Sequence, residues 1–568
     1  MPTIRQIHIK NFRGIKELKW HPNPGLNCII GPGDSGKSTV LDAIDLVLTA
    51  RRSYSFSDTD FYQLNIDEPI EITATLGELD DKLLNLESYG TFLRGFNLTT
   101  KTINDEPQTG DEIVISIKLT IRDDLEPYWQ LFSERAMDAS FEKRLQWKHR
   151  ELISPSRLGV APNFNLAWGS KSILNKLSDE NINVSASLLQ LVRDARKNFA
   201  EQEVVGVEKV LLEVKKIANE LGVSTGEINA QLDINSFSLS NGAISLHNDD
   251  NTPLSQLGTG SIRLLISGLQ KTVAVSNIFL VDEVEYGLEP FRITRLLHEL
   301  GAKTDSSKLQ VFLTTHSPYV LRELKASQLH VIRKPSNLST YHEVLSLNDT
   351  DEEQSTLRVC AEAFFNKSVI ICEGKTEIGL TRGIDLYHQE KGEKSIQSYG
   401  VYWADGGGST LFVRAEIFRK LGYRTAIFKD SDLPEQQSEF TKSAIKNGIE
   451  IFEWGNSLSF EDALFKYSPA TSISPLLTLA IERKGEQSIS SAILNHSDGT
   501  YDLSKCQNEF CDEMREPLAK AAKAKSGSWF KDIEPAELLA KNIICANYDD
   551  FNQEFRQVIN NLFEWAKS

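Results

Sequence analysis

Two groups of residues in this sequence have the types and spacing that phosphate chemistry needs. The first is the run GPGDSGKST over residues 31–39, which satisfies G-x-x-x-x-G-K-[ST] in full. Its members are Gly31, Gly33, Asp34, Ser35, Gly36, Lys37, Ser38 and Thr39. Glycines let backbone N–H groups wrap a phosphate at a helix N-terminus, where the dipole favours an anion. Lys37 then reaches the β- and γ-phosphates and Ser38 ligates Mg²⁺. The apolar run LNCII before the loop and the amphipathic pattern Thr39–Leu48 after it supply the strand–loop–helix context.

A bound nucleotide also needs a second metal anchor and a group that activates water. The run NIFLV ends at Val281 and is followed by Asp282 and Glu283. Asp282 suits Mg²⁺, directly or through water, and Glu283 suits polarising the attacking water. In LSQLGTGSIR (254–263), Gly258 and Gly260 open a helical pattern and can present amides to a phosphate. Because residues 31–39 already do that locally, this second loop suits the nucleotide of a neighbouring subunit. FLTTHSP (312–318) sets His316 at a strand end, with Ser317 and Pro318 as helix cap and first turn. His316 is therefore expected near the γ-phosphate.

The second group is acidic. VIICEGKTE (369–377) reads as a buried strand that ends in Glu373-Gly374, with Glu377 one helical turn on. Asp430 lies 57 residues beyond Glu373, at the end of a second strand-like run, AIFKDSD. Asp430 and Asp432, two apart in an extended segment, point the same way. Carboxylates gathered at strand ends repel one another, and cations relieve this. Hard oxygen ligands suit Mg²⁺ or Mn²⁺. A pair of such ions can stabilise both the attacking and leaving oxygens of a phosphodiester.

The elements that must position these residues also follow from patterning. Residues 70–76 and 113–121 alternate with period two and predict antiparallel strands. Runs at 278–281 and 311–313, with a helical segment at 293–300 between them, predict a mostly parallel α/β sheet. Residues 185–222 carry helical spacing (Leu188, Leu189, Leu191, Val192, then Val210, Leu211, Val214, Ile217) and read as an insertion. A polar, acidic stretch near 345–358 predicts a boundary, after which strands alternate with helices again.

At 568 residues the chain has length for two to four domains, and 40% hydrophobic with 25% charged residues is ordinary for a soluble fold. The net charge of −17 argues against indiscriminate nucleic-acid affinity and leaves room for a local basic surface. The six cysteines lack paired zinc spacing and predict free thiols in a reducing compartment. No apolar run approaches the ~18 residues of a membrane span, and the N-terminus has no signal-peptide core. A cytoplasmic protein is expected.

The loop at 31–39, Asp282-Glu283, the G-x-G loop, FLTTHSP and the opening Asn11-Phe12-Arg13-Gly14 together resemble the ABC-type heads of SMC, RecF and OLD ATPases. The E-G and D-x-D pair resembles a Toprim domain over roughly residues 365–465. The two in one chain resemble the OLD family of ATP-dependent nucleases, including the Gabija nuclease subunit and retron-associated effectors.

That resemblance implies an α/β fold: an ABC-type P-loop ATPase head with a helical dimerisation insertion, then an α/β Toprim domain. The expected divisions are 1–150 and 236–350 for the head, 151–235 for the insertion, and 360–568 for Toprim with a helical extension. The resemblance also implies a homodimer or larger oligomer whose heads sandwich ATP, DNA as substrate, and a role in anti-phage defence. A helicase-like or reverse-transcriptase partner fits this layout, and no membrane does. The signature departs from the LSGGQ form of transporters and takes the looser G-x-G form of OLD proteins. The resemblance also implies a Q-loop between the P-loop and the insertion, for which Gln63, in DTDFYQL, is the candidate and Asp60 its rival.

Family members carry a further acid and a basic residue downstream. Here Glu461 or Asp462, in SLSFEDALF, offers the acid, and Lys531, in GSWFKDIEP, offers the base. Glu461 thus joins Glu373, Glu377, Asp430 and Asp432 as an expected metal ligand. Lys520, Lys523 and Lys525 form a small basic run that suits either DNA-backbone contact or a solvated helix face. Asp405–Gly408 reads as a tight turn with no catalytic role. Strand passage would need a nucleophilic tyrosine and priming a zinc module, and neither signal is present. The remaining alternative is a nuclease-inactive, nucleotide-switched sensor of RecF or SMC type.

Overall fold

The computed structural model describes residues 2–50, 54–85, 89–158, 167–168, 190, 194, 210, 212, 244–304, 308–334, 341–432, 434–524 and 527–568. The helical insertion expected at 185–222 therefore lies almost wholly outside the described residues, as does Lys525. The chain forms two compact units. The first comprises Met1–Pro155, Ser276–Glu285 and Pro290–Ser568, and the second Ser156–Val275 with Tyr286–Glu289.

The first unit opens with a hairpin, β1 (Thr3–Phe12) and β2 (Ile15–Trp20), turning at Arg13-Gly14. Its next strand, β3 (Leu26–Ile30), is buried at all five positions, as befits a strand covered on both faces. β4 (Ile70–Gly77) pairs antiparallel with β1, and β5 (Leu93–Phe96), β6 (Ile103–Asn104), β7 (Glu112–Ile121) and β8 (Pro127–Phe132) extend that antiparallel half. In the other half β3 lies between two parallel neighbours, Gln310–Thr314 and Leu329–Arg333, and Ile278–Val281 flanks the former.

The strand Tyr341–Ser346 joins the halves. It runs antiparallel to Leu329–Arg333 and parallel to β2. The sheet is thus mixed rather than mostly parallel. The alternating segments at 70–76 and 113–121 belong to the same sheet as the P-loop strand, because β2 gives the late strand an edge on which to add. Helix α1 (Lys37–Leu48) buries Val40, Leu41, Ile44 and Val47 in the core formed by Ile7, Ile9, Ile72 and Ile117.

The same unit holds a second, four-stranded sheet, wholly parallel, in the order Val401–Asp405, Ser368–Cys372, Arg424–Lys429, Glu450–Glu453. Its first strand in sequence sits second in space, and the next two lie on opposite sides of it. The chain's crossover point therefore falls between Ser368–Cys372 and Arg424–Lys429, which is where open parallel sheets bind ligands at their strand C-termini. The helical extension closes the core: Trp454 stacks on Phe555 with ring centroids 4.8 Å apart, and Trp403 meets Phe563 at 5.9 Å. Both phenylalanines come from the final helix, Gln553–Lys567.

All six cysteines are free, and only Cys511 is exposed. Among the described residues no helix is long and apolar enough to cross a membrane.

Candidate functional site

The phosphate loop is set by the end of a buried strand and the start of a helix. Gly36 caps α1 with φ +93°, a left-handed conformation that an L side chain strains to adopt. At Gly31 a Cβ would lie 2.5 Å from the Ile332 carbonyl oxygen, so only glycine lets the loop pack on the neighbouring strand. Lys37 Nζ donates to the carbonyls of Gly31 and Pro32, at 3.1 and 3.2 Å. Burial pulls the pKa of this ammonium down, opposed by the charges of Asp34, Asp282 and Glu283. Ser38 is exposed, and Thr39 half-buried one position on.

Tertiary structure brings the distant acids to this loop. Ser38 Oγ donates to Asp282 Oδ1 at 3.3 Å, across 244 residues of sequence. The Thr314 hydroxyl donates to the same oxygen and accepts the Glu283 N–H at 2.9 Å. Glu283 itself is exposed, with φ +47°. Glu285, a residue the motifs did not single out, accepts from Thr315 Oγ1 and from the His316 N–H, both at 2.7 Å. A carboxylate three residues past Asp282 and two hydroxyls before His316 were the available signal. The exposed His316 ring lies 6.5 Å from that of Phe365.

The Q-loop candidates separate. Asp60 is buried and receives Arg13: the backbone N–H at its carbonyl (2.7 Å) and Nε at Oδ1 (2.9 Å). Arg13 also reaches Asp42 of α1. Gln63 is exposed, and its amide donates to the Tyr62 hydroxyl at 3.4 Å. In the second unit, exposed Gly258 caps the helix Thr259–Val273, and Gly260 is buried in its first turn. Arg263 of that helix donates to the Tyr286 carbonyl at 3.0 Å.

At the crossover point of the smaller sheet four carboxylates gather. The Asp430 N–H donates to Glu373 Oε2 at 2.9 Å. Glu377, in the first turn of the helix Lys375–Glu390, accepts the Gly374 N–H at 2.8 Å and so caps that helix. Glu461, nine-tenths buried on the helix Phe460–Tyr467, completes the group.

Their proximity shows in their acidity. Burial, then the charges of Glu373 and Glu461, push the Glu377 pKa up to about 7. Burial and the charges of Glu377, Glu373, Glu461 and Asp432 raise Asp430 well above the usual carboxylate range. Glu461 is raised by burial and by Asp462, and Lys523 and Lys531 oppose this. Glu373 is raised by burial, against the Asp430 N–H and the charge of Lys429.

The two neighbours at 461 and 462 part company. Asp462 turns away into a capping box, accepting from Ser459 Oγ at 2.7 Å, and pairs with Lys523 at 2.6 Å. Burial alone would raise its pKa, but Lys523 and Ser459 hold it below the usual range. Asp432 is exposed and acts on the others through its charge. Lys531 is exposed within electrostatic reach of Glu461, whereas Lys520 pairs with Glu516. Lys429, unremarked in the sequence, is buried beneath Asp430, donating to its carbonyl at 2.9 Å and pairing with Glu453 at 2.7 Å.

Lys531 is held near this site by close helix packing. A Cβ at Gly379 would lie 2.3 Å from the Ile533 carbonyl oxygen, and one at Gly383 2.3 Å from that of Glu537. The helix Ile533–Leu539 therefore rests directly on the backbone of the helix that carries Glu377. The turn Asp405–Gly408 packs on the end of the Glu373 strand: the Gly408 N–H donates to the Glu373 carbonyl at 3.0 Å.

The acids fit a divalent cation by charge and by one further observation. Asp430 Oδ1 is buried with no hydrogen-bond partner, the state of an oxygen suited to a cation. Among the described residues no group of three or more His, Cys, Asp or Glu side chains is already arranged to hold a metal ion.

Two family models match separate stretches of the chain. Residues 26–322 match the family described as "AAA domain, putative AbiEii toxin, Type IV TA system". Residues 364–432 match "Overcoming lysogenization defect protein-like, TOPRIM domain". The chain is 36% identical over 75 residues to an OLD nuclease of Thermus scotoductus, covering 12% of this chain and 14% of that protein. It is 43% identical over 49 residues to the DNA replication and repair protein RecF of Moorella thermoacetica, covering 9% and 13%. The chain spans about a quarter or less of the length of the curated relatives it matches. The solved SMC head domain from Thermotoga maritima aligns with 61% of this chain and 99% of its own at 13% identity, with a TM-score of 0.29.

Proposed function

Because the chain belongs to the AAA-domain family and carries an OLD-like TOPRIM domain, we propose that it is an ATP-dependent, divalent-metal-dependent DNA endonuclease acting in anti-phage defence. The observation that carries this reading is the meeting of Glu373, Glu377, Asp430 and Glu461 at the crossover point of a parallel sheet.

In this reading Gly31–Thr39 wrap the ATP phosphates and Lys37 leaves its loop carbonyls for the β- and γ-phosphates. Ser38 and Asp282 would hold Mg²⁺, Glu283 would polarise water, and His316 would face the γ-phosphate. Gly258 and Gly260 serve the nucleotide of a second copy, which makes the working form at least a dimer. Gln63, exposed in its loop, would make a further nucleotide contact. Glu373, Glu377, Asp430, Asp432 and Glu461 would hold Mg²⁺ or Mn²⁺, which when bound supplies a deprotonated water and charge relief at the leaving oxygen. Lys531 neutralises charge developing on the phosphate. Asp462 serves the helix cap rather than the phosphodiester.

Nicking of supercoiled plasmid by the full chain with Mg²⁺ or Mn²⁺, with and without ATP, tests the proposal. Cleavage that vanishes in Asp430→Ala supports it, and cleavage that survives that substitution moves the active site elsewhere. The alternative reading is a nucleotide-switched sensor without nuclease activity. It takes over if the chain hydrolyses ATP and cuts in no lane.

A further inference from the structure

On the Val401–Asp405 flank of the smaller sheet a cleft of about 220 Å³ opens. Lys375, Arg382, Gln397, Tyr402, Asp405 and Ile533 are among its lining residues. The half-buried Tyr402 presents an aromatic surface, and Ile533 an apolar one. Gln397 and Asp405 offer hydrogen-bonding groups of both kinds. Lys375 and Arg382 keep 60% and 51% of their side chains exposed while pairing with Asp532 (3.1 Å) and Glu537 (3.0 Å).

The cleft is fixed in register with the acids. Its Asp405 wall continues into a turn whose Gly406 and Gly408 N–H groups donate to the carbonyls of Cys372 (2.7 Å) and Glu373 (3.0 Å). Its Lys375 wall begins two residues after Glu373. An occupant of the cleft is therefore held at a set distance from the phosphate that the acids would cut.

The volume is below the ~300 Å³ at which drug-sized pockets begin. It suits a flat, single-ring or double-ring group with polar edges. Aromatic and arginine surfaces are what proteins use to stack an unpaired base, and amide and carboxylate groups read its edge.

We propose that this cleft takes one unstacked base of the DNA strand, next to the scissile phosphate, stacked on Tyr402. The inference rests on the nuclease reading for the identity of the strand. It makes Tyr402 and Gln397 determinants of where the strand is cut, and it assigns Lys375 and Arg382 to the adjoining backbone.

The test uses the full chain carrying Asp430→Ala, so that binding is read without cutting. The probe is a single-stranded oligodeoxynucleotide with one 2-aminopurine, whose fluorescence reports stacking. Adding Tyr402→Ala is expected to weaken binding about 5- to 150-fold and restore fluorescence. Tyr402→Phe, which keeps the ring, should bind within about 2-fold of the parent. Gln397→Ala, chosen in case Tyr402→Ala melts early, should also weaken binding with an unchanged melting temperature.

Unchanged binding and quenching in Tyr402→Ala overturns the proposal. So does displacement of the probe by micromolar deoxyadenosine monophosphate, which would make the cleft a site for free nucleotides. Failure of the wild-type chain to nick plasmid would instead sink the nuclease reading, and the two failures are read in separate experiments.

Discussion

The backbone N–H of Asp430 donates to the Glu373 carboxylate at 2.9 Å, so two acids 57 residues apart share one hydrogen bond at the ends of adjacent parallel strands. This bond fixes the spacing of the acidic centre. Beside it, Asp430 Oδ1 lies buried without a hydrogen-bond partner.

The crowding of acids has a measurable consequence. The Glu377 carboxyl, raised to about 7, keeps a proton in the folded chain that the unfolded chain releases near 4.5, so stability falls as pH rises through that window. Asp430 and Glu461 act in the same direction. Without divalent metal, the melting temperature should drop between about pH 5 and about pH 8, and Mg²⁺ or Mn²⁺ should recover it at the upper end. A flat melting profile that ignores metal would count against a cation at this site.

Glu461 and Asp462 should respond differently. Glu461→Gln removes a buried member of the cluster and should lower nicking by about 100-fold or more with little loss of stability. Asp462→Ala removes the capping box and the Lys523 pair, at a cost of about 1 kcal/mol in stability, and should leave most of the nicking. Melting curves and single-turnover nicking on both variants decide this.

Gly379 and Gly383 should be intolerant of even one methyl group. Gly379→Ala places a Cβ against the Ile533 carbonyl and Ala536 side chain, and should cost about 1–3 kcal/mol by forcing the helices apart. Because Lys531 lies just before that helix, nicking should fall more than ATP hydrolysis does. Equal losses of both would point to global unfolding instead.

Glu285 should matter to the ATPase through the segment it holds. Glu285→Ala leaves the Thr315 O–H and the His316 N–H without their acceptor, and should slow ATP hydrolysis about 10-fold with a smaller change in ATP affinity. Glu285→Gln retains an acceptor for the His316 N–H and should recover most of the rate. Steady-state hydrolysis with a separate nucleotide-binding titration resolves the two effects.

Local sequence determined the parts whose chemistry depends on neighbours in the chain. The glycine spacing and Lys37-Ser38 specify a phosphate loop, because φ signs and helix N-termini are set within a few residues. The strand-then-acid pattern at Glu373 and Asp430 is equally local, and a buried parallel strand shows itself as an unbroken apolar run. Tertiary structure alone decided which acids face one another. Glu461 and Asp462 are adjacent and chemically alike, and only the packing of their helix turns one into the cluster and the other to Ser459 and Lys523. Glu285 and Lys429 escaped notice because their roles are hydrogen bonds made across neighbouring strands. The Gly379–Gly383 pair reads as ordinary helix until the second helix is laid on it. The mixed sheet was hidden for the same reason. Each strand's periodicity is written in its own residues, but its neighbour is chosen by a connection that periodicity does not record.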